Sequence, residues 1–317
     1  MVGVDSDCIQ LKEDGGQPVS DRVCAVVVTY NRKTLLRECL LALQAQTRPV
    51  DEILVVDNNS TDGTRDLISE EFPELQTLYL PNNSGGAGGF HAGMQRAYEQ
   101  GFDWLWLMDD DGRPAPDCLQ RLLAHQAPNT VLVPVQQASQ GHFYGIGVWR
   151  GIDVNITDEV LAQQGPVQGD YIFAFVGPLI ARSIIAQVGL PNKEFFIWYC
   201  DSEYALRVMA TSNTRIVVIP DAIVFHDFGG MAREVRFLGR TSIRNHQPAW
   251  KAYYSARNPL YIITRTKRNL RDFLVYSRYQ LRYLIGDIIY EPDRWKRVQL
   301  RMTGFRDGAL GRLGKRV

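Results

Sequence analysis

From Val23 onward, short apolar runs alternate with segments whose apolar residues recur every three or four positions. The runs are VCAVVVTY (Val23 to Tyr30), EILVVD (Glu52 to Asp57), LQTLYL (Leu75 to Leu80) and DWLWLM (Asp103 to Met108). They are short and rich in β-branched or aromatic residues, as parallel strands covered on both faces are. Between them, KTLLRECLLALQAQT places Leu35, Leu36, Cys39, Leu40 and Leu43 at helical spacing. RDLISEEF predicts a short helix ended by Pro73, and HAGMQRAYEQG a helix stopped by Gly101, with NNSGGAGGF before it as a Gly-rich loop. Four strand–helix alternations predict an α/β fold with a Rossmann-like, mostly parallel sheet flanked by helices.

Beyond Gly112 the alternation is less regular. CLQRLLAHQ, RSIIAQVG and DSEYALRVMA read as helices, and TVLVPV as a strand. GHFYGIGVWRG and DYIFAFVGPLIA read as irregular strands, and RIVVIPDAIVFHDFGG as a strand pair broken at its proline. From about Trp250 the chain reads as helical, aromatic and basic. Repeats and low-complexity segments are absent from the sequence. The expected organisation is a flexible arm over 1–20, one α/β domain over 21–228 and a helical basic region over 229–317.

Charge changes this picture. The 317 residues carry 35 Lys/Arg and 35 Asp/Glu, yet residues 229–317 hold 20 basic and 6 acidic residues. An acidic body therefore precedes a basic tail of +14, of the kind that meets anionic lipid, nucleic acid or phosphorylated substrates. Within the tail, Leu270, Phe273, Leu274, Leu281, Leu284, Ile285, Ile288 and Ile289 fall mainly on one helical face, and Arg271, Arg278 and Arg282 elsewhere. Two readings stand: a helix lying on an anionic membrane surface, or a helix packed on the core. The five cysteines form no CxxC pair, which speaks for a reducing compartment and against a disulfide framework or structural zinc. The first residues lack the pattern of a signal peptide, and apolar runs are too short for a spanning helix.

In open parallel sheets, ligands bind at the carboxyl ends of the strands. Polar clusters follow each predicted strand there: Thr29-Tyr30-Asn31, Asp57-Asn58-Asn59, the Gly-rich segment and Asp109-Asp110-Asp111. Each alone has an ordinary explanation. NNSTDGT is good turn and cap chemistry, the glycines fit no dinucleotide or P-loop fingerprint, and an acidic turn can be solvated. Together at one sheet edge they predict a polar pocket. Three adjacent carboxylates repel one another unless a cation neutralises them, and Mg²⁺ or Mn²⁺ would do so while bridging to phosphate. If the segment stays extended, Asp109 and Asp111 share a side and Asp110 points away.

VVVTYNR, EILVVDNNSTDGT, NNSGGAGGF and WLMDDDG, in that order, resemble glycosyltransferase family 2 across Val23 to about Phe228. GGAGGF ahead of WLWLMDDDG is most similar to the galactofuranosyltransferase and rhamnosyltransferase branch, and YYSARNPLYI (Tyr253 to Ile262) resembles a segment of rhamnosyltransferase-like members. The resemblance implies a GT-A fold, inverting chemistry and a nucleotide-sugar donor, UDP- or dTDP-linked. It puts Thr29, Tyr30 and Asn31 around the nucleobase and Asp57 on the pyrimidine. Asn59, Gly85, Gly86, Asp109 and Asp110 complete the donor pocket. Asp109, Asp111 and His226 would hold Mn²⁺ or Mg²⁺. Asp201 would be the base that takes the acceptor's proton, with Glu203 beside it. A general base of this kind contributes roughly 10²- to 10⁴-fold.

The alternative for Asp201 is a helix N-cap, and a histidine at a strand end is usually structural. His91, His125, His142 and His246 lack even that setting. The expected activity is transfer of galactofuranose from UDP-galactofuranose to a cell-surface glycan or polyprenyl-diphosphate-linked acceptor in cell-wall or polysaccharide biosynthesis. The alternatives are rhamnosyl transfer from dTDP-rhamnose and a non-catalytic nucleotide-sugar-binding protein. The expected location is cytoplasmic, peripheral at the inner membrane face. With no nucleic-acid motif in view, no nucleic acid is expected as a partner.

Overall fold

The computed structural model describes residues 21–163, 165–227, 231–237, 240–267 and 269–317. The expected arm over 1–20 and the expected boundary at 228/229 lie outside the described residues.

Strands β1 (Val23–Thr29), β2 (Glu52–Asp57), β3 (Gln76–Tyr79) and β4 (Trp104–Asp109) alternate with helices α1 (Lys33–Gln44), α2 (Thr64–Glu71) and α3 (Gly85–Glu99). The four strands run parallel in the order β4-β1-β2-β3. All of β1, and Trp104 to Met108 of β4, are buried, so their apolar runs reflect cover on both faces.

After β4 come β5 (Arg113–Pro114), β6 (Thr130–Gln137), β7 (Phe143–Tyr144), β8 (Ile146–Trp149), β9 (Asp153–Asn155), β10 (Val167–Gln168), β11 (Ile172–Phe173), β12 (Leu179–Ala181) and β13 (Arg215–Phe225). Helices α4 (Cys118–Leu123), α5 (Thr157–Leu161), α6 (Arg182–Val188) and α7 (Cys200–Ala210) are interspersed. β12 inserts antiparallel between β4 and β6, and β13 lies parallel to β6. The main sheet thus reads β10-β13-β6-β12-β4-β1-β2-β3, with β5 on β13 and β7 on β6, while β11-β8-β9 forms a second sheet.

Three expectations are corrected. The glycine segment is not a loop: α3 begins at Gly85. A Cβ on Gly89 would lie 2.4 Å from Val28 Cγ1, and one on Gly93 2.4 Å from Val26 Cγ1 and 2.9 Å from Val56 Cγ2. Glycine is needed for this helix to lie against β1 and β2, despite costing about 1 kcal/mol per residue in helix propensity. The segment read as a strand pair is one strand, β13. Its register against β6 jumps between Ile219 and Ile223, a bulge that takes up Pro220, which has no N–H to give the ladder. The basic region opens with a hairpin, β14 (Met231–Phe237) and β15 (Arg240–His246), before helices α8 (Lys251–Ile262), α9 (Leu270–Tyr290) and α10 (Arg294–Leu310).

Helices α8 and α10 pack closely. A Cβ on Gly304 would sit 2.4 Å from Tyr253 O, and one on Gly308 2.6 Å from Arg257 O. Cys24, Cys39, Cys118 and Cys200 are buried free thiols. Among the described residues no helix is long and apolar enough to cross a membrane.

Candidate active site

Parallel register brings the polar strand ends together. Thr29 pairs with Asp57, and Val28 with Asp109, so three carboxyl ends share one edge. Asp57 is fully buried and accepts from Ser60 N (2.9 Å) and Arg65 Nε (2.8 Å). Arg65 also donates to Asn59 Oδ1 (3.2 Å) and lies over the Tyr79 ring. Asn31 and Asn59 adopt left-handed φ (52° and 67°), which asparagine tolerates better than most residues. Asn31 Oδ1 accepts from Thr61 N, stitching the first two strand ends together, while Tyr30 is exposed. Gly85 has φ 72°, and a Cβ there would lie 2.0 Å from Phe196 O, so only glycine fits; Gly86 faces open space.

The acidic strand end departs from simple alternation. β4 stops at Asp109, and Gly112 N donates back to Asp109 O (3.0 Å), so the chain turns instead of staying extended. Asp110 is therefore not directed away from Asp111: Arg32 Nη1 bridges Asp110 Oδ1 (3.2 Å) and Asp111 Oδ2 (2.6 Å). Asp110 also accepts from Thr29 Oγ1 (2.8 Å) and Tyr30 N, and so ties the end of β1 to the end of β4. His226 follows β13 and presents Nε2 at 3.1 Å from Asp111 Oδ1. Its Nδ1 is engaged by Tyr144 Oη (2.8 Å), which orients the ring as an outer-shell partner would.

Proton affinities reflect this crowding. Burial, then Asp111 and Asp110, push Asp109 well above the usual carboxylate range. Burial raises Asp110 to about 6 against the pull of Arg32 and Thr29. Burial acts upward on Asp111 too, but His226 and Arg32 outweigh it and hold that carboxyl below the ordinary range. One guanidinium among three carboxylates leaves excess negative charge; carboxylate oxygens suit Mn²⁺ or Mg²⁺, and an imidazole nitrogen beside them favours Mn²⁺ of the two. Asp111 and His226 are brought together; among the described residues Asp109 does not complete a three-ligand group with them.

Asp201 lies in the first turn of α7, its Oδ1 accepting from Ser202 N (2.8 Å), and burial raises its proton affinity. Facing it is Asp153 of β9. Ser202 Oγ donates to Asp153 Oδ2 (2.6 Å), and burial together with Asp201 pushes Asp153 to about 7. Both carboxylates line a cavity of about 800 Å³ shared with Trp198, Tyr199, Lys251 and Arg282. Glu203 is separate from it: buried, ion-paired with Arg207 (2.8 Å), whose guanidinium also holds the carbonyls of Val188 and Leu190. Asp153 and Arg32 are the residues that sequence reasoning passed over. Arg32 directly follows Thr29-Tyr30-Asn31, so adjacency was a signal. Asp153 sits in an irregular hairpin with no motif around it.

A model of Glycosyl transferase family 2 matches residues 24–161. Galactofuranosyltransferase GlfT1 of Mycobacterium tuberculosis (strain H37Rv) is 29% identical over 307 residues, covering 91% of this chain and 97% of that protein. The dTDP-rhamnosyl transferase RfbF of Shigella flexneri is 24% identical over 249 residues, covering 77% and 81%. In fold, the chain is similar to GalNAc-T7 solved with UDP, GalNAc and Mn²⁺ (TM-score 0.58, 14% identity, 90% of this chain and 55% of that one). It is also similar to mannosyltransferase PcManGT of Pyrobaculum calidifontis with GDP-Man and Mn²⁺ (TM-score 0.53, 16% identity, 91% and 87%). The architecture is that of GT-A glycosyltransferases.

Proposed function

We propose that this chain, which carries a glycosyl transferase family 2 domain and is a glycosyltransferase, transfers galactofuranose from UDP-galactofuranose to a glycan acceptor with inversion. The observation that carries the reading is the acidic edge itself. Asp109, Asp110 and Asp111 stand at the end of β4, where Arg32 bridges the last two, and Asp201 lines a cavity of about 800 Å³. The choice of sugar rests on the end-to-end likeness to a galactofuranosyltransferase. The shorter likeness to RfbF favours a second reading, rhamnosyl transfer from dTDP-rhamnose.

In this reading Tyr30, Asn31, Asp57 and Asn59 receive the nucleoside, with Thr29 holding Asp110 beneath them. Gly86, which faces open space, lets the donor approach the start of α3, whereas the room beside Gly85 is taken by Phe196 O. Asp111 and His226 would hold a divalent cation, which when bound would offset charge on the leaving diphosphate. Asp201 accepts the acceptor hydroxyl's proton as that oxygen bonds to the anomeric carbon. The diphosphate departs on the opposite face with the bonding pair, and configuration inverts. Asp153 binds a neighbouring acceptor hydroxyl, and Glu203, tied to Arg207, supports α7 from behind.

The acceptor is read as an amphiphile, such as a polyprenyl-diphosphate-linked glycan, met at an anionic membrane surface. Helix α9 supports this. Its buried residues include Asp272, Gln280 and Asp287, whereas Leu270, Phe273, Leu274, Leu281, Ile285, Ile288 and Ile289 are exposed. Arg271, Arg278 and Arg282 are exposed beside them, matching an anionic lipid face. Ile285 and Ile289 also line the cavity that holds Asp201, so the cavity and the apolar face adjoin.

Nucleoside-diphosphate release tests the proposal, with UDP-galactofuranose and dTDP-rhamnose each offered with Mn²⁺ or Mg²⁺ and a lipid-linked acceptor. UDP release dependent on both cation and acceptor is expected. Turnover with dTDP-rhamnose alone would replace it by the second reading. Full rates in excess chelator would remove the cation.

A further inference from the structure

The turn that precedes Asp201 has an unfavourable backbone. Phe196, Trp198 and Tyr199 all have left-handed φ, 67°, 58° and 62°. Bulky side chains rarely adopt this region, and such residues persist where the surroundings over-determine them. Tyr199 is the cap from which α7 and Asp201 start.

The surroundings come from the segment YYSARN of α8. Asn258 is fully buried, and its Nδ2 lies 3.2, 2.7 and 3.0 Å from the carbonyl oxygens of Phe195, Ile197 and Trp198. Arg257, also fully buried, donates from Nε to Asn258 Oδ1 (2.7 Å), which aims the amide nitrogen at the turn. Its Nη2 reaches Phe195 O (2.8 Å) and Glu194 O (3.3 Å), and its Nη1 reaches Gly314 O (2.5 Å). The chain's last residues close the same clamp: Gly314 N donates to Glu194 O (2.7 Å), and Lys315 Nζ lies over the Phe196 ring and donates to Asn83 O. The Phe196 ring packs on Tyr254 at 5.2 Å.

The turn faces both substrates' sides. Phe196 O accepts from Ala87 N (3.1 Å) and occupies the space that a side chain on Gly85 would need. On the other side Trp198 and Tyr199 line the cavity with Asp201.

We propose that Arg257 and Asn258 are positioning residues: by holding the Phe195–Tyr199 turn in its left-handed path they set Asp201 and Trp198 in register with the Gly85–Ala87 end of the donor pocket. The proposal rests on Asp201 being the base and adds what stands behind it. It also gives the YYSARN segment a task that its position outside the sheet does not suggest.

The test compares Asn258→Ala and Asn258→Asp in the full chain. The aspartate keeps the shape but loses the N–H donors and turns oxygens toward three carbonyls. Both variants should lose roughly 10²-fold in kcat, the cost of a misplacement of about 1 Å, with donor KM within about threefold of wild type. The part of the tryptophan emission that Trp198→Phe removes should shift in both. If Asn258→Ala fails to fold, Asn258→Ser, which leaves one donor, carries the same readouts at an intermediate loss. Wild-type kcat with unmoved Trp198 emission in a folded variant would overturn the proposal. So would an equal fall in donor affinity with unmoved emission, which marks a general prop. Asp201→Asn is measured beside them. Full activity there refutes the base, whereas the Trp198 emission of the Asn258 variants tests the clamp by itself.

Discussion

Strand β1 and helix α9 bury opposite kinds of residue. β1 is buried along its whole length and all but Thr29 of it is apolar, and its polar neighbours begin where the strand ends. α9 buries Asp272, Tyr276, Gln280 and Asp287 and turns leucines and isoleucines outward. In β1, β2 and β4, apolar pattern and burial agree because these strands are covered from both faces. In the tail, partners decide. Trp149 Nε1 donates to Asp272 (3.1 Å), Gln280 Nε2 donates to Ser255 O (2.8 Å), Tyr276 Oη donates to Ala256 O (2.7 Å), and Arg301 holds Asp287 with two bonds (3.0 and 2.7 Å). Buried polar groups so satisfied stabilise a specific orientation, whereas unsatisfied ones are costly. An amphipathic pattern therefore says that a helix has two faces, not which one is inside.

The largest effect should come where the two regions meet. Asp201→Asn keeps shape but loses the basic oxygen, and transfer should fall by about 10²- to 10⁴-fold with donor and cation affinity little changed, as read by steady-state kinetics and donor titration. If Asp201 is the base it acts ionised, and burial raises its proton affinity, so the wild-type rate should fall on acidification at a pH above the ordinary aspartate value of about 4. Equal loss of donor binding would move Asp201 into the donor site.

Next is the polar interior of the tail. Arg301→Ala breaks the buried ion pair with Asp287, and should cost about 3–5 kcal/mol in chemical denaturation. A loss below about 1 kcal/mol would mean that α9 is not held by its polar face. The sheet should answer to volume in place of charge. Gly93→Val drives a branched side chain into Val26 and Val56, and should cost about 1–3 kcal/mol, with the rate following the folded fraction. A stable variant would show that α3 can move off the sheet.

The smallest change in stability is expected on the outer face of α9. Leu274 is 60% exposed and Leu281 56%, so the double change Leu274→Ser and Leu281→Ser should shift stability by less than about 0.5 kcal/mol. The same change should abolish sedimentation with anionic vesicles, which in wild type should weaken with salt as exposed charges are screened over about 10 Å at 0.1 M. A large destabilisation would mean that this face packs on protein. Unchanged sedimentation would mean that lipid is met elsewhere.

Much of the donor half could be read along the chain. The four runs from Val23 to Met108 became β1 to β4 nearly to the residue, and in β1, β2 and β4 cover on both faces accounts for the near-continuous apolar run. The polar ends Thr29, Asp57 and Asp109 to Asp111 followed, because a parallel sheet brings its carboxyl ends to one edge. The union of Asp111 with His226 was foreseen through the resemblance, not through spacing. What only the tertiary structure decided depends on contacts between distant segments: glycines of α3 selected by Val26, Val28 and Val56, β13 carried past Pro220 by its neighbour β6, and Asp153 set against Asp201 through Ser202. Arg257 and Asn258 meet the Phe195–Tyr199 turn across some 60 residues, and α9 faces as it does because α8 and α10 supply its partners. Local pattern encodes which residues leave water in a strand; which buried polar group finds a partner is encoded only in three dimensions.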